Sequence, residues 1–268
     1  MSFSIAGKTA IITGAANGVG LAIARHFIAQ GANVMMADKD EARLKAEVDD
    51  ASDEEGSARV FSCDLREKLS QANLLSATID AFDRVDILVN AARQVMPTDP
   101  LDADDDSLEQ LLQQNLLTGF RLSQLVAKRM IKQAGDNEND EVAGSIVNLS
   151  SIAAQRSRPG LMGYSISSAA LDQMTRTMAI ALAPKRIRVN AVSFGSVMSA
   201  SLHASLKETD GLREDIVSHT PLGRIASPTE VADAVQFLSS PASNFMSGEI
   251  ITVDGGRGLL DPVQTAAH

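Results

Sequence analysis

Three glycines in the segment 13–20 are the residues of this 268-residue chain whose types and spacing most clearly suggest chemistry. They follow an apolar run at 10–12 and open an amphipathic stretch over 18–30, which predicts a strand, a tight turn and a helix. Glycines let a backbone approach a ligand closely, and a helix N-terminus offers free N–H groups and a positive dipole end. The order therefore predicts a pyrophosphate site of a bound dinucleotide. The residues expected to contact it are Gly14, Asn17, Gly18, Val19 and Gly20.

Asp38 is the next candidate, about 20 residues beyond the glycine turn and directly after the apolar run 34–37. A carboxylate there can accept hydrogen bonds from ribose hydroxyls and would repel a 2′-phosphate, so it favours NAD over NADP. Lys39 could instead hold a phosphate, and Asp38 could instead cap the helix expected from residue 40. The sequence predicts NAD as the cofactor.

The elements that position these residues alternate along the chain. Short apolar runs predict strands at 8–13, 33–37, 58–62, 86–90, 144–149, 187–192 and 249–253. Helical patterns lie at 18–30, 40–50, 66–82, 106–132, 162–182 and 228–239. This alternation predicts an α/β fold, a doubly wound, Rossmann-type three-layer sandwich with a seven-stranded parallel sheet, and no linker divides residues 1–268 into two domains.

Two segments depart from the alternation. Residues 133–143 are polar and acidic, which predicts a solvated loop. Residues 195–220 are irregular and follow a strand's carboxyl end, where ligands bind in open α/β sheets. They could form a variable segment that covers a substrate, or an ordinary pair of surface helices.

Composition excludes several classes of protein. The net charge of −10 argues against nucleic-acid binding, which needs clustered cations. The single cysteine, Cys63, cannot form an intrachain disulfide, as expected in a reducing cytoplasm. The scattered histidines predict no metal site, and no apolar run is long enough to span a membrane.

Several further segments carry a family resemblance. The T-G-x-x-x-G-x-G turn is the first, and Val253-Asp254-Gly255-Gly256 is the last. Between them lie Cys63-Asp64-Leu65, Leu88-Val89-Asn90-Ala91-Ala92, Pro221-Leu222-Gly223-Arg224 and Pro228-Thr229-Glu230-Val231-Ala232. With these segments the chain resembles the short-chain dehydrogenase/reductase family over Gly7 to Gly256. The resemblance implies that Asp64 and Leu65 meet the adenine, and that Asn90 and Ala91 line the adenosine ribose.

The same resemblance implies an active site. Tyr164 matches the family's tyrosine, Ser151 lies thirteen residues before it, and Asn115 matches the asparagine on an earlier helix. The family's lysine, four residues after the tyrosine, is Ser168 here. In the family that lysine lowers the tyrosine's pKa and binds the nicotinamide ribose, a contact that Ser168 and Tyr164 would have to share. Arg93 and Phe194 also depart from the pattern, which has glycine and proline at those positions.

Three interpretations of Ser168 stay open. The enzyme could work slowly with Tyr164 and Ser151 alone, since general acid–base help is typically worth about 10²–10⁴-fold. Arg93 could supply the missing charge, unless its side chain points to solvent. The protein could also bind NAD without catalysis and act through partners or as a redox sensor.

By resemblance, the expected function is the interconversion of a secondary alcohol and a ketone, a small-molecule substrate, with a nicotinamide cofactor. Family members usually form homotetramers through the helices at about 106–132 and 162–182. An apolar face on the first of these helices supports burial there.

Overall fold

One parallel seven-stranded sheet organises the protein, in the order β3-β2-β1-β4-β5-β6-β7. The computed structural model describes residues 2–50, 58–135 and 142–261. The strands are β1 (Thr9–Thr13), β2 (Asn33–Asp38), β3 (Ala58–Ser62), β4 (Ile87–Asn90), β5 (Gly144–Ser151), β6 (Ile187–Phe194) and β7 (Ile250–Val253). The predicted fold class and all seven predicted strands are confirmed.

Helices cover both faces of the sheet. They are α1 (Gly18–Ala29), α2 (Glu41–Asp50), α3 (Lys68–Phe82), α4 (Ser107–Leu112), α5 (Thr118–Ala134), α6 (Met162–Leu182), α7 (Ala200–Glu208), α8 (Leu212–Ser218) and α9 (Pro228–Ser239). Adjacent strand residues point to opposite faces, so Ile12 packs toward α1 and α9 while Ile11 packs toward α3, α5 and α6. Full burial of such side chains contributes about 1.5–3 kcal/mol each, which explains the continuous apolar runs.

The structure refines three of the predicted segments. The helix predicted at 106–132 is interrupted by a π-helix, Gln113–Leu117, between α4 and α5. The loop predicted at 133–143 begins later, because α5 continues to Ala134, and residues 136–141 lie outside the described part. Segment 195–220 contains the helix pair α7 and α8.

The sheet order reverses between β1 and β4, which are neighbours in the sheet but not in the chain. Crossovers leave this point in opposite directions, so a crevice forms at the carboxyl ends of the two strands. The glycine turn follows β1, and Asn90 ends β4. The predicted dinucleotide site therefore lies at the topological switch point.

Candidate active site

The glycine turn between β1 and α1 can form only with glycine at its contact points. Gly14 and Gly18 have φ of +68° and +55°, in the left-handed region that glycine tolerates. A Cβ on Gly20 would lie 2.2 Å from the carbonyl oxygen of Gly14. Asn17 caps α1 by accepting a 2.7 Å hydrogen bond from the Gly18 N–H, while Val19 lies half-buried in the first turn. The remaining N–H groups of this turn have no intrahelical acceptor and can meet a phosphate.

Thr13 joins the glycine turn to the end of β4. Its Oγ1 accepts hydrogen bonds of 3.0 Å from the N–H groups of both Ala91 and Ala92. A Cβ on Gly14 would come within 2.8 Å of the Ala92 Cα. The two backbone segments thus form one close-packed cradle, and the residues present fit a dinucleotide.

Asp38 at the end of β2 is held against the same turn. Its Oδ2 accepts from the Ala16 N–H and its Oδ1 from the Asp40 N–H, both at 3.1 Å. The cap of α2 is Asp40, whose Oδ1 accepts from the Arg43 N–H at 3.2 Å. The alternative of Asp38 as helix cap is therefore wrong, and Lys39 beside it is exposed.

Asp64 follows β3 and pairs with Arg66, a residue that the sequence reasoning did not single out. Both carboxylate oxygens lie 3.0 Å from Arg66 Nε. This pairing lowers the pKa of Asp64 below its ordinary value. Leu65 is buried, and its carbonyl accepts a 2.6 Å hydrogen bond from Gln71. The signal for the pair was an arginine two residues after the aspartate.

Asn90 points into the interior, because its amide donates to Asn148 Oδ1 at 2.9 Å and to Ser123 Oγ at 3.0 Å. Its Oδ1 is buried without a partner among the described residues. Side-chain contact with a cofactor would thus have to use this one oxygen. Ala91, next to it, presents its backbone beside the glycine turn.

Tyr164 and Ser151 lie at the same carboxyl edge of the sheet. Tyr164 is in the first turn of α6 and is 5% exposed. Ser151 ends β5, is also buried, and its Oγ accepts a 3.1 Å hydrogen bond from the Ala153 N–H. Because a hydroxyl can donate one bond and accept two, this capping leaves the Ser151 proton available to a ligand oxygen.

Ser168 is buried one turn further along α6, and its hydroxyl is occupied within the helix. Its Oγ donates a 2.8 Å hydrogen bond to the Tyr164 carbonyl oxygen, which also accepts from Ser167 at 3.0 Å. Ser168 is therefore a short, uncharged group whose hydroxyl proton is already committed to its own helix backbone.

Asn115 lies in the π-helix between α4 and α5, the kind of local distortion that often occurs at functional sites. Its Oδ1 accepts from the Gln94 N–H at 2.8 Å, and its amide donates to the Gln94 carbonyl at 2.9 Å. A 3.3 Å bond to Ser167 Oγ ties it to α6. Asn115 thus joins the loop after β4 to the helix that carries Tyr164.

The side chain of Arg93 is half-buried, and its guanidinium lies inside this region. Its Cζ is 4.1 Å from the ring centroid of Phe194 and 5.8 Å from that of Tyr164. Its Nη1 donates a 3.3 Å hydrogen bond to the Ser150 carbonyl. The interpretation of Arg93 as a solvated side chain is therefore wrong.

Asp172 is a buried carboxyl two turns beyond Tyr164 on α6. Burial raises its pKa above the ordinary value, although Ser150 and Arg176 oppose this effect. Asp172 therefore releases its proton less readily than an exposed aspartate.

A cavity of about 590 Å³ opens beside the loop after β5 and the ends of β6 and β7. Its lining includes Ile152, Arg156, Thr220, Leu222 and Leu259. It shares Ser196 and Thr220 with the segment 195–220, which could cover a substrate. Tyr164 and Ser151 do not line it, so we do not assign it as the place of reaction.

Two other features are absent from residues 2–50, 58–135 and 142–261. No helix there is long and apolar enough to cross a membrane. In the same ranges, no three side chains of the His, Cys, Asp or Glu type lie together in a way that could hold a metal ion.

Comparison with known proteins identifies the family. The family model described as enoyl-(acyl carrier protein) reductase matches residues 14–257. The 7alpha-hydroxysteroid dehydrogenase of Escherichia coli K12 is 34% identical over 250 residues, covering 93% of this chain and 94% of that protein. This chain belongs to the short-chain dehydrogenase/reductase family.

Other relatives are enzymes with different substrates in their names. Galactitol 2-dehydrogenase of Cereibacter sphaeroides is 33% identical, with 95% of this chain and 96% of that protein covered. A solved structure of a 7 alpha-hydroxysteroid dehydrogenase, complexed with NADH and 7-oxo glycochenodeoxycholic acid, superposes with a TM-score of 0.87. Its sequence is 34% identical, and 95% of each chain is covered. The protein is thus an oxidoreductase of secondary alcohols and ketones that uses a nicotinamide cofactor.

Proposed function

We propose that this protein is an NAD-dependent dehydrogenase/reductase in which Tyr164 exchanges a proton with the oxygen of a secondary alcohol or ketone. One observation carries the proposal. Ala92 packs on the glycine turn, and the next residue, Arg93, reaches the ring of Tyr164. This run of contacts supports one site that begins at the cofactor cradle and ends at the tyrosine.

The chain's own groups have distinct roles in the proposed reaction. In the oxidative direction the alcohol's O–H proton passes to the oxygen of Tyr164, and in the reductive direction Tyr164 returns it. Ser151 donates a hydrogen bond to the substrate oxygen and so fixes its position. Asn115 holds the Gln94 backbone against α6 and supports a path for water to Tyr164.

The cofactor would be held by the cradle and the strand ends around it, namely Gly14, Asn17, Gly18, Val19, Gly20, Asp38, Asp64, Leu65, Asn90 and Ala91, with Tyr164 and Ser168 near its nicotinamide ribose. When bound, it supplies the hydride acceptor or donor at the substrate carbon. Asp38 favours NAD, because its carboxylate would repel the 2′-phosphate of NADP.

Further properties follow as part of the proposal. Residues 1–268 act as a single Rossmann-type domain with the α7–α8 segment covering a small-molecule substrate, in a reducing cytoplasm that suits the single cysteine. The chain assembles as a homotetramer through α4–α5 and α6. Ile180 on α6 is 77% exposed, and Ile166 on the same helix is 42% exposed, which favours burial by another copy.

The alternative function is NAD binding without catalysis, with the protein acting through partners or as a redox sensor. Ser168 favours it, since this residue brings no charge to Tyr164 and its hydroxyl is bonded to its own helix. Retention of Tyr164, Ser151 and Asn115 favours the enzyme, because a binding protein has no need of all three.

Calorimetry and turnover separate the two functions. Calorimetry measures the affinity for NAD and NADP, and a panel of a 7α-hydroxysteroid, a polyol and simple secondary alcohols is then assayed for formation of reduced cofactor. The proposal expects tighter binding of NAD and turnover of at least one alcohol that Tyr164→Phe strongly reduces. Binding of NAD with no turnover by wild type, but turnover by Ser168→Lys, would establish the non-catalytic alternative.

A further inference from the structure

Three positions at which this chain departs from its family's site pattern come together in space. Arg93 follows β4, Phe194 ends β6 and Ser168 lies on α6, yet the guanidinium of Arg93 contacts both Phe194 and the tyrosine one turn before Ser168. Serine at position 168 leaves Tyr164 without the family's lysine, whereas arginine at position 93 brings a cation to it.

Arg93 is held in place from more than one side. Its guanidinium stacks on the face of Phe194 at 4.1 Å, and its Nη1 donates to the Ser150 carbonyl at 3.3 Å. Guanidinium groups stack well on aromatic rings because they are planar and weakly hydrated. Phe194, itself 2% exposed, provides a flat surface that orients this arginine.

The charge of Arg93 is not neutralised by an ion pair. Within the described ranges, none of the carboxylates forms a salt bridge with it. A partly buried, unpaired cation favours a negative charge on a neighbouring group more strongly than an exposed cation does.

Other charged groups near this end of α6 are less well placed. Glu109 on α4 and Arg156 after β5 are exposed, and Arg156 donates to the Gly258 carbonyl. The carboxylates of Asp99 and Asp105, in the loop that contacts Gly163, accept hydrogen bonds from that loop's own N–H groups. Asp172 lies on α6 itself, two turns beyond Tyr164. The π-helix and the described residues of β5 bring no charge.

We propose that Arg93 replaces the missing lysine, acting as a positioning cation that favours the phenolate of Tyr164 during proton exchange. This inference rests on the acid–base role proposed for Tyr164. The half-buried charge of Arg93 lies 5.8 Å from the centroid of the Tyr164 ring, close enough to favour a negative charge on that phenol.

The composition of the chain permits a direct test. Tyr164 is the only tyrosine and the chain has no tryptophan, so the near-ultraviolet absorbance of the phenolate reports this residue alone. The titration is recorded for full-length wild type, Arg93→Met, Arg93→Lys and the double variant Arg93→Met/Ser168→Lys. Arg176→Met, an exposed arginine on the same helix, is the matched control. Circular dichroism at each pH verifies that the protein is folded.

Arg93→Met is expected to raise the midpoint of the absorbance titration, Arg93→Lys to raise it less, and Arg176→Met to leave it unchanged. The double variant should return toward wild type, because a lysine at position 168 restores the charge. The pH–rate profile of an active substrate should move with the absorbance titration, while the affinity for NAD changes little.

The outcomes separate this inference from the proposed function. An active wild type whose absorbance titration and rate are unchanged in Arg93→Met would overturn the inference and leave the proposed function standing. If Arg93→Met shifts the absorbance titration but wild type turns over no alcohol, the proposed function fails, and Arg93 serves no reaction.

Discussion

Replacing Gly20 by alanine tests the cofactor cradle with a single methyl group. A Cβ at this position would lie 2.2 Å from the Gly14 carbonyl oxygen and 2.8 Å from its carbon. Ordinary contacts of this kind are about 3.5 Å, so the turn would have to open by about 1 Å. Both contacts are with backbone atoms, and rotation of a side chain cannot relieve them.

A displacement of about 1 Å in a binding loop is enough to lose about 100-fold in function. We therefore expect Gly20→Ala to weaken NAD binding by at least ~100-fold, or ~2.7 kcal/mol. Overpacking of this kind costs about 1–3 kcal/mol of stability, so the variant should still fold. Calorimetry with NAD and thermal unfolding in the absence of NAD measure the two effects separately.

Gly7→Ala is the matched control. Gly7 has φ +72° but nothing within 4 Å of an added Cβ, so alanine there is strained without a clash near the cradle. It should lose about 1 kcal/mol of stability and bind NAD as wild type does. If Gly20→Ala bound NAD with wild-type affinity, the cradle would not be where the dinucleotide binds.

Three further predictions follow from charge and burial. Asp38→Asn should raise the affinity for NADP relative to NAD by about 10-fold or more, because it removes the carboxylate that would repel a 2′-phosphate. Calorimetry with each cofactor measures the two affinities. An unchanged ratio of the NADP and NAD affinities would exclude Asp38 from the choice of cofactor. Burial, followed by the charges of Asp64 and Asp38, raises the pKa of Cys63 from 9.0 to about 11. Because the thiolate is the reactive form, iodoacetamide should modify Cys63 about 100-fold more slowly in the folded protein than in the unfolded chain near neutral pH. Equal rates of modification would refute this shift. Because the pKa of Asp172 is raised in the folded state, its contribution to stability is present at acidic pH and is lost as the pH rises through the folded value. Asp172→Asn should therefore unfold at a higher urea concentration than wild type at neutral pH but not at acidic pH. If the variant were more stable than wild type only at acidic pH, the pKa of Asp172 would not be raised in the folded state.

The sheet could be predicted because its signals are local. Strands buried on both faces must be continuously apolar, and each predicted run became a strand within two residues at each end. The glycine turn was equally predictable, since its glycines are needed for positive φ at Gly14 and Gly18 and for close approach at Gly20.

Other features depend on tertiary contacts that the sequence does not carry. The π-helix at Gln113–Leu117 leaves the apolar periodicity of the 106–132 stretch almost unchanged, so that stretch was predicted as one helix. In α8 only Ile216 is buried, so the segment 195–220 has little apolar periodicity. The sequence therefore could not decide whether this segment covers a substrate or forms an ordinary pair of surface helices. The direction of Arg93 depends on Phe194, which is distant along the chain.

Transfer of deuterium from substrate to cofactor tests the central claim most directly. Secondary alcohols deuterated at the carbinol carbon are incubated with NAD and the full-length protein, and the reduced cofactor is analysed by mass spectrometry. The account predicts deuterium in the cofactor with wild type, and strongly reduced transfer with Tyr164→Phe, which removes only the hydroxyl. Saturation with NAD and no deuterium transfer from any alcohol would contradict the account and leave a protein that binds the dinucleotide without using it.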